Sequence, residues 1–570
     1  MGFPKSIQFS PGFIATILPV LLLLPFVGKA YHIDDVMYLW AAQQIQSTPA
    51  DFYGFIINWY GYEQLMHEAN QNPPLLSYYL AFVTAITGWS EISVHFWLLV
   101  PAVLFSLGVL NLAKILSLPQ VPAVLITILS PVYLISSTTV MTDVTMSAFF
   151  VWAVWYWLRG MSGENHLNFI VSSVLICCAV LTKYFALSLV PLLFAYTLWE
   201  KKQLKPYLLY LIIPVLCMCL FEYLTYLNYG HGLLFSAAGY TLSEGGDGFL
   251  SRVSRIFNGF VFVGGCLLNV LFLTFFLLKK KWLASLVLFI ILFSFVAVQF
   301  SNSLESVFPF LPYLPRYVSL QYFLYLTIGA TLVYLSIYDF LRFKDPASSL
   351  VVLWVMGCFL FLAVVNWSVT ARNVLPMLPA LALIVARRFD GDFSLFGQTK
   401  FVSYSIVFLP AMLLSLMFVK ADVAEANNQR QAAEKIATMT SAYKGQVWFF
   451  GHWGFQYYME RNGAKPYADK KTVFQLGDIV VMPTNNTNIN AKLSKKVFWP
   501  VMEIEDNSRW TNVMQPNAGA GFYSDRRGPM PLNIYNSPPD KYYLYVFGNF
   551  GSLEAALSYV QANGFSLQDK

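Results

Sequence analysis

Apolar stretches of roughly 17 or more residues, each long enough to cross about 30 Å of hydrocarbon, recur from Leu18 to Met417. A chain with this pattern must satisfy its backbone within helices, because lipid offers no hydrogen-bond partner. Composition agrees: 57% of the 570 residues are hydrophobic and 12% are charged, about half the usual share of charge. Mean hydropathy is +0.56, which excludes a soluble globular protein. The first stretch, Phe13 to Val27, has no small-residue cleavage site after it. It reads as a retained span, not a removed signal peptide. Six cysteines (Cys177, Cys178, Cys217, Cys219, Cys266 and Cys358) all fall inside apolar spans. They read as small buried side chains, with neither a disulfide framework nor metal-ligand spacing.

Basic residues set the predicted topology. Lys114, Arg159, the group Lys201, Lys202 and Lys205, the run Lys279 to Lys281, Arg342 with Lys344, and Arg387 with Arg388 each end a hydrophobic stretch. With these clusters cytoplasmic, the count closes at about thirteen spans. They run 11–27, 91–113, 119–136, 142–158, 166–181, 184–199, 206–226, 259–278, 282–300, 319–340, 349–366, 371–386 and 401–419. The N-terminus then lies inside and the C-terminal tail outside. The net charge of +6 sits in short loops and gives no reason to invoke nucleic acid. The external segments 28–90, 227–258 and 301–318 are longer. The first carries two amphipathic stretches, Asp35–Gln46 and Pro74–Thr87, of the kind that lie along a membrane surface. From about Ala421 the composition turns polar. β-like runs at Gln446–Phe450, Asp478–Met482, Lys496–Val501 and Tyr543–Phe547 accompany helical stretches at Gln429–Tyr443 and Ser552–Asn563. The expected organisation is an α-helical polytopic unit over 1–420, followed by a small extracytoplasmic α/β domain over 421–570.

The chemistry-bearing residues gather at external span ends. The first external loop opens with Tyr31-His32-Ile33-Asp34-Asp35-Val36-Met37-Tyr38. Two adjacent carboxylates this near hydrocarbon are costly and read as functional. One could act as general base on an acceptor; equally, Asp34 could cap the helix that begins at Asp35. Thr142-Asp143 opens the fourth span, and Leu181-Thr182-Lys183-Tyr184 makes a tight turn between the fifth and sixth. Arg316 precedes the tenth span, and Arg372 opens the twelfth. External cations run against the positive-inside trend. Lys183, Arg316 and Arg372 therefore suit a lipid phosphate, or else snorkel to headgroups. His32 and His67 share the first loop with Asp34, Asp35, Glu63 and Glu68, so a divalent metal is conceivable, although no ligand spacing supports it. His452, within Phe450-Gly451-His452-Trp453-Gly454, reads as a packing residue.

Taken in order, Asp34-Asp35-Val36-Met37-Tyr38, Asn72-Pro73-Pro74-Leu75, Thr142-Asp143, Leu181-Thr182-Lys183 and Arg372-Asn373-Val374-Leu375-Pro376-Met377-Leu378-Pro379-Ala380-Leu381 resemble the GT-C glycosyltransferases. The likeness is to the protein O-mannosyltransferase and aminoarabinose transferase (ArnT-like) group, over about residues 10–420. The resemblance implies an inverting transfer from a polyprenyl-phosphate sugar to a protein, lipid or glycan acceptor at the external face, in a bacterial inner membrane. It implies Asp34 as the catalytic carboxylate and candidate base, with Asp35 where many members carry Glu. Lys183 and Arg372 match donor-phosphate positions, and Arg316 matches more loosely. Aminoarabinose transferases carry a Glu before the Lys-Pro of their loop, whereas Gln71-Asn72 precede Pro73 here. Any second acidic role then falls to Asp143, Glu63 or Glu68. The rival readings are a flippase or transporter of a lipid-linked or anionic substrate, and a GT-C oligosaccharide or polymer ligase. A transporter would carry paired broken helices or an internal repeat, and the sequence shows no repeat.

Overall fold

The computed structural model describes residues 10–244, 248–273, 310–389, 395, 398–486, 493–507 and 509–566. The chain is a helical membrane protein whose strands gather toward the C-terminus. Helix α1 (Pro11–Leu23) is capped by Ser10, whose side chain accepts from Phe13 N–H. The first loop folds into α2 (Asp35–Ser47), a short hairpin of β1 (Ile56–Asn58) and β2 (Glu63–Leu65), and α3 (Leu75–Thr87). Helices α2 and α3 match the two amphipathic stretches and pack on each other.

Next come α4 (Glu91–Ile115), α5 (Thr142–Gly163), α6 (His166–Thr182), α7 (Ile212–Tyr229), α8 (Phe249–Cys266), α9 (Arg316–Phe343), α10 (Pro346–Leu360), α11 (Leu378–Ala386) and α12 (Lys400–Met439). Five described helical segments are long and apolar enough to cross a membrane: Glu91–Ile115, Pro206–Tyr229, Arg316–Phe343, Pro346–Val365 and Lys400–Met439. The other expected spans among the described residues are shorter or more polar. The stretch 119–136 breaks into Gln120–Ile128 and Pro131–Ser136, because Pro131 cannot donate within a continuing helix and Ser130 caps a new one. The expected span 282–300, the Lys279 to Lys281 cluster and loop residues 301–309 lie outside the described residues.

Helix α5 is enclosed by its neighbours, and Thr142, Asp143, Thr145 and Ser147 are buried along it. Helix α7, by contrast, leaves Leu216, Leu220, Leu224 and Leu227 exposed, as suits a surface against acyl chains. Helices α8 and α9 cross through Gly264 and Gly329. A Cβ on either would sit 1.9 Å from a carbonyl oxygen of the other helix, a backbone approach that only glycine permits.

Helix α12 corrects the sequence expectation. The span 401–419 and the separate stretch Gln429–Tyr443 form one helix of 40 residues ending at Met439. No glycine or proline interrupts the polar run after Met417, so the helix continues. It carries the chain into a five-stranded sheet of β3 (Val447–Phe449), β4 (Lys465–Pro466), β5 (Ile479–Pro483), β6 (Phe498–Glu505) and β7 (Lys541–Phe547), in the order β4-β3-β5-β7-β6. Strand β3 pairs in parallel with β4 and β5, and β7 runs antiparallel to β5 and β6. Helix α13 (Trp453–Arg461) follows β3, and α14 (Leu553–Ala562) follows β7.

Candidate active site

The turn before α2 presents the acidic pair, and the two carboxylates take opposite duties. Ile33 adopts φ 51°, a conformation rare for a β-branched residue. It reverses the chain so that Asp35 folds back under the turn. Asp35 is fully buried; its Oδ2 accepts from His32 N–H at 2.8 Å and its Oδ1 from Val140 N–H at 2.8 Å. It thereby fastens the first loop to the segment leading into α5. Burial pushes its carboxyl up to about 7, opposed by the Lys29 charge and these backbone hydrogen bonds. Asp34 does not cap α2 with its side chain. Its side chain, 31% exposed, turns instead toward Arg372, whose Nη1 lies 3.4 Å from Oδ2.

Arg372 sits in the first turn of the short helix Ala371–Val374, which Thr370 caps through Asn373 N–H. Besides Asp34, its Nη1 lies 2.9 Å from Met141 Sδ, and its Cζ stands 5.8 Å from the centroid of the Tyr523 ring. Its Nε is buried and meets no acceptor among the described residues. Beside it, Lys183 ends α6 and donates to Asp143 Oδ1 at 2.6 Å and to Asn373 Oδ1 at 3.1 Å. Asp143 Oδ2 is likewise buried without a described partner. Four sequence-predicted residues, Asp34, Asp143, Lys183 and Arg372, thus converge from four separate chain segments. Asn373 joins them, and its signal was its place beside Arg372. Tyr523 was missed: it lies about 150 residues further on in an aromatic-rich tail where no spacing singles it out.

Other candidates go elsewhere. Arg316 is exposed at the start of α9, with no ion pair among the described residues. Glu63 pairs with Lys471, and Glu68 Oε2 accepts from Leu65 N–H at 3.3 Å. His32 is buried with its ring 5.8 Å from that of Tyr523, whereas His67 stacks on Tyr229 at 4.7 Å and lies 4.9 Å from His231. Among the described residues no three His, Cys, Asp or Glu side chains gather as a metal would require. His452 packs edge-on against Trp59 at 5.2 Å. A cleft of about 500 Å³ opens between the first loop and the C-terminal region, walled by Trp40 and Gln43 of α2, Asn58 of β1, and Gln456 and Glu460 of α13.

What the arrangement offers chemically is a half-exposed carboxylate beside two cations whose donors are not all used. Residues 71–226 match the family described as dolichyl-phosphate-mannose-protein mannosyltransferase. That segment holds Asn72-Pro73-Pro74-Leu75, Thr142-Asp143 and Leu181-Thr182-Lys183, so the resemblance drawn from these motifs is borne out there. No curated protein matches the chain. Among solved structures, the Archaeoglobus fulgidus oligosaccharyltransferase tethered to an acceptor peptide is 12% identical, with a TM-score of 0.47 over 81% of this chain and 63% of that one. ArnT from Cupriavidus metallidurans bound to undecaprenyl phosphate is 13% identical, with a TM-score of 0.41 over 84% of this chain and 94% of that one. The mycobacterial arabinofuranosyltransferase AftD is 10% identical, with a TM-score of 0.38 over 96% and 40%. The chain thus spans less than two thirds of the length of the archaeal oligosaccharyltransferase.

Proposed function

We propose that this chain is an integral-membrane glycosyltransferase of the GT-C type, which moves a sugar from a polyprenyl-phosphate donor to an acceptor at the extracytoplasmic face with inversion. The observation that carries this reading is the convergence of Asp34 with Asp143, Lys183 and Arg372, next to a family match that includes the segments of Asp143 and Lys183. Asp34 accepts the proton of the acceptor hydroxyl or amine as that atom attacks the anomeric carbon. The bond from that carbon to the phosphate oxygen breaks, and the departing phosphate gains one negative charge. Lys183 supplies a point charge and Arg372 a planar fork to receive it, in a poorly solvated site where such donors count most. The Arg372 side chain stays 18% exposed, so its fork can take the phosphate while keeping Asp34 in reach. Asp143 holds Lys183 in place.

The test is sugar transfer from a panel of polyprenyl-phosphate sugars to envelope acceptors by purified wild type and Asp34→Asn. The expected result is transfer by wild type, reduced by about 10²- to 10⁴-fold in a folded Asp34→Asn that still binds the lipid phosphate. Equal transfer by both removes Asp34 as the base. Donor binding without transfer, across every acceptor, supports a flippase instead.

A further inference from the structure

The Asp34–Arg372 pair is presented by two loops, and the C-terminal region grips both. On the first loop, Tyr31 N–H donates to the Tyr458 hydroxyl at 2.9 Å. A Cβ at Gly454 would lie 1.9 Å from the Tyr31 carbonyl oxygen, so α13 begins in backbone contact with the turn that carries Asp34. On the second loop, Ala371 N–H donates to the Phe522 carbonyl at 2.9 Å, and Asp525 N–H donates to the Val369 carbonyl at 2.9 Å. Asp525 Oδ1 closes the pairing by accepting from Ser368 Oγ at 2.9 Å and from Val369 N–H at 3.0 Å. Between these anchors lies Tyr523, 3% exposed, with its ring centroid 5.8 Å from Arg372 Cζ. Its hydroxyl donates at 2.9 Å to Asp422 of α12, which is ion-paired with the fully buried Lys29 ahead of the Asp34 turn.

We infer that Tyr523 is a positioning residue for Arg372, and that Phe522–Asp525 is a strap through which the C-terminal region sets the separation of Arg372 from Asp34. The first clause rests on the proposed role of Arg372 at a donor phosphate; the strap itself does not. A ring face packed in place at 3% exposure restricts where the guanidinium can lie, and the hydroxyl bond to Asp422 adds to that hold. The bonds on either side of Tyr523 hold the backbone of Val369 and of Ala371, the residue before Arg372. Displacement of such a group by about 1 Å from productive geometry can cost two orders of magnitude in rate. The C-terminal region thereby acquires a role in the site without contributing a reacting atom.

Two measurements separate the strap from the donor reading. The Ser368 and Ser524 hydroxyls lie 2.8 Å apart, so the full-length Ser368→Cys/Ser524→Cys chain in native membranes should form an internal disulfide on mild oxidation. Each single cysteine variant should not. Absence of that crosslink overturns the strap, whatever the donor proves to be. The second measurement is binding of polyprenyl monophosphate by purified wild type, Arg372→Ala, Tyr523→Ala and Tyr523→Phe, each first checked for cooperative unfolding. Arg372→Ala should lose binding, Tyr523→Ala should weaken it by about tenfold, the scale of one desolvated cation–π contact, and Tyr523→Phe should recover most of the loss. Wild-type affinity in Tyr523→Ala overturns the positioning role, as does a Tyr523→Phe no better than Tyr523→Ala. A wild type that crosslinks as expected yet has no affinity for polyprenyl phosphate refutes the donor reading and leaves the strap standing.

Discussion

Asp34 and Asp35 are chemically identical neighbours, and their surroundings give them different work. Asp35 has both oxygens engaged by backbone N–H groups and no exposure to solvent. Asp34 keeps a partly exposed carboxylate held by one long contact to Arg372. Asp35→Asn turns one acceptor into an NH₂ group that faces a backbone N–H, which costs about 1–3 kcal/mol for the group left unsatisfied. Asp34→Asn forfeits only a partly exposed ion pair, worth at most about 1 kcal/mol. Thermal unfolding in detergent should therefore fall clearly for Asp35→Asn and little for Asp34→Asn, while transfer is lost in the latter. The reverse order would remove the division of labour between the two. The pair was legible in the sequence because charge next to hydrocarbon is conspicuous. The family resemblance favoured Asp34, but the residues alone did not say which of the two is free, since that depends on Val140, more than a hundred residues away.

At the scale of elements, α2, α3, α4 and α6 lie close to where the hydropathy pattern put them, and β3, β5, β6 and β7 each begin within two residues of their β-like runs. What escaped the pattern was continuity. A change from apolar to polar composition near Ala421 looks like a boundary, but composition alone does not end a helix without a breaking residue, and α12 runs through it. Its polar half delivers Asp422 and Glu425 to buried positions under the C-terminal strands. Helix α13, at the other side of this junction, walls the cleft with Glu460. Burial pushes the Glu460 carboxyl up to about 7 from 4.5, and the hydrogen bond from the Gln456 amide at 2.8 Å opposes that shift. Between those two values the native state holds a proton that the unfolded chain has released, so this group makes the fold less stable as pH rises through the window. Glu460→Gln keeps an acceptor for Gln456 and has no charge to bury. It should unfold at a higher temperature than wild type at pH 8, with the gain shrinking as pH falls below 7 and gone below about 4.5. An equal gain at pH 4 and pH 8 would show that the effect is packing and not titration.

Across the whole molecule, the proposed active site lies at a seam between the helical part and the C-terminal region, and the chain closes that seam with backbone contacts and buried charge. Lys29, at the end of the first span, pairs with Asp422 with neither side chain exposed. Breaking such a pair from one side leaves a charge with no compensation, which is why buried pairs fix geometry more surely than they add stability. No sequence pattern could expose this seam, because its members are single residues spread from Lys29 to Asp525 and each is unremarkable in its own segment. Gly454 offers the sharpest test of whether the seam is required. Its backbone lies so near Tyr31 that a side chain there would overlap a carbonyl oxygen, which cannot swing aside as a rotamer does. Gly454→Val should therefore cost about 1–3 kcal/mol, the usual range for forced overpacking. Because the overlap falls on the turn that presents Asp34, transfer should decline more steeply than stability does. Limited proteolysis in native membranes should also cut the Gly454→Val chain faster than wild type around residues 440–455, where α12 hands over to the sheet. A Gly454→Val chain with wild-type cutting, unfolding temperature and transfer would mean that the two parts do not need to meet at Tyr31, and that the helical part holds Asp34 in place unaided.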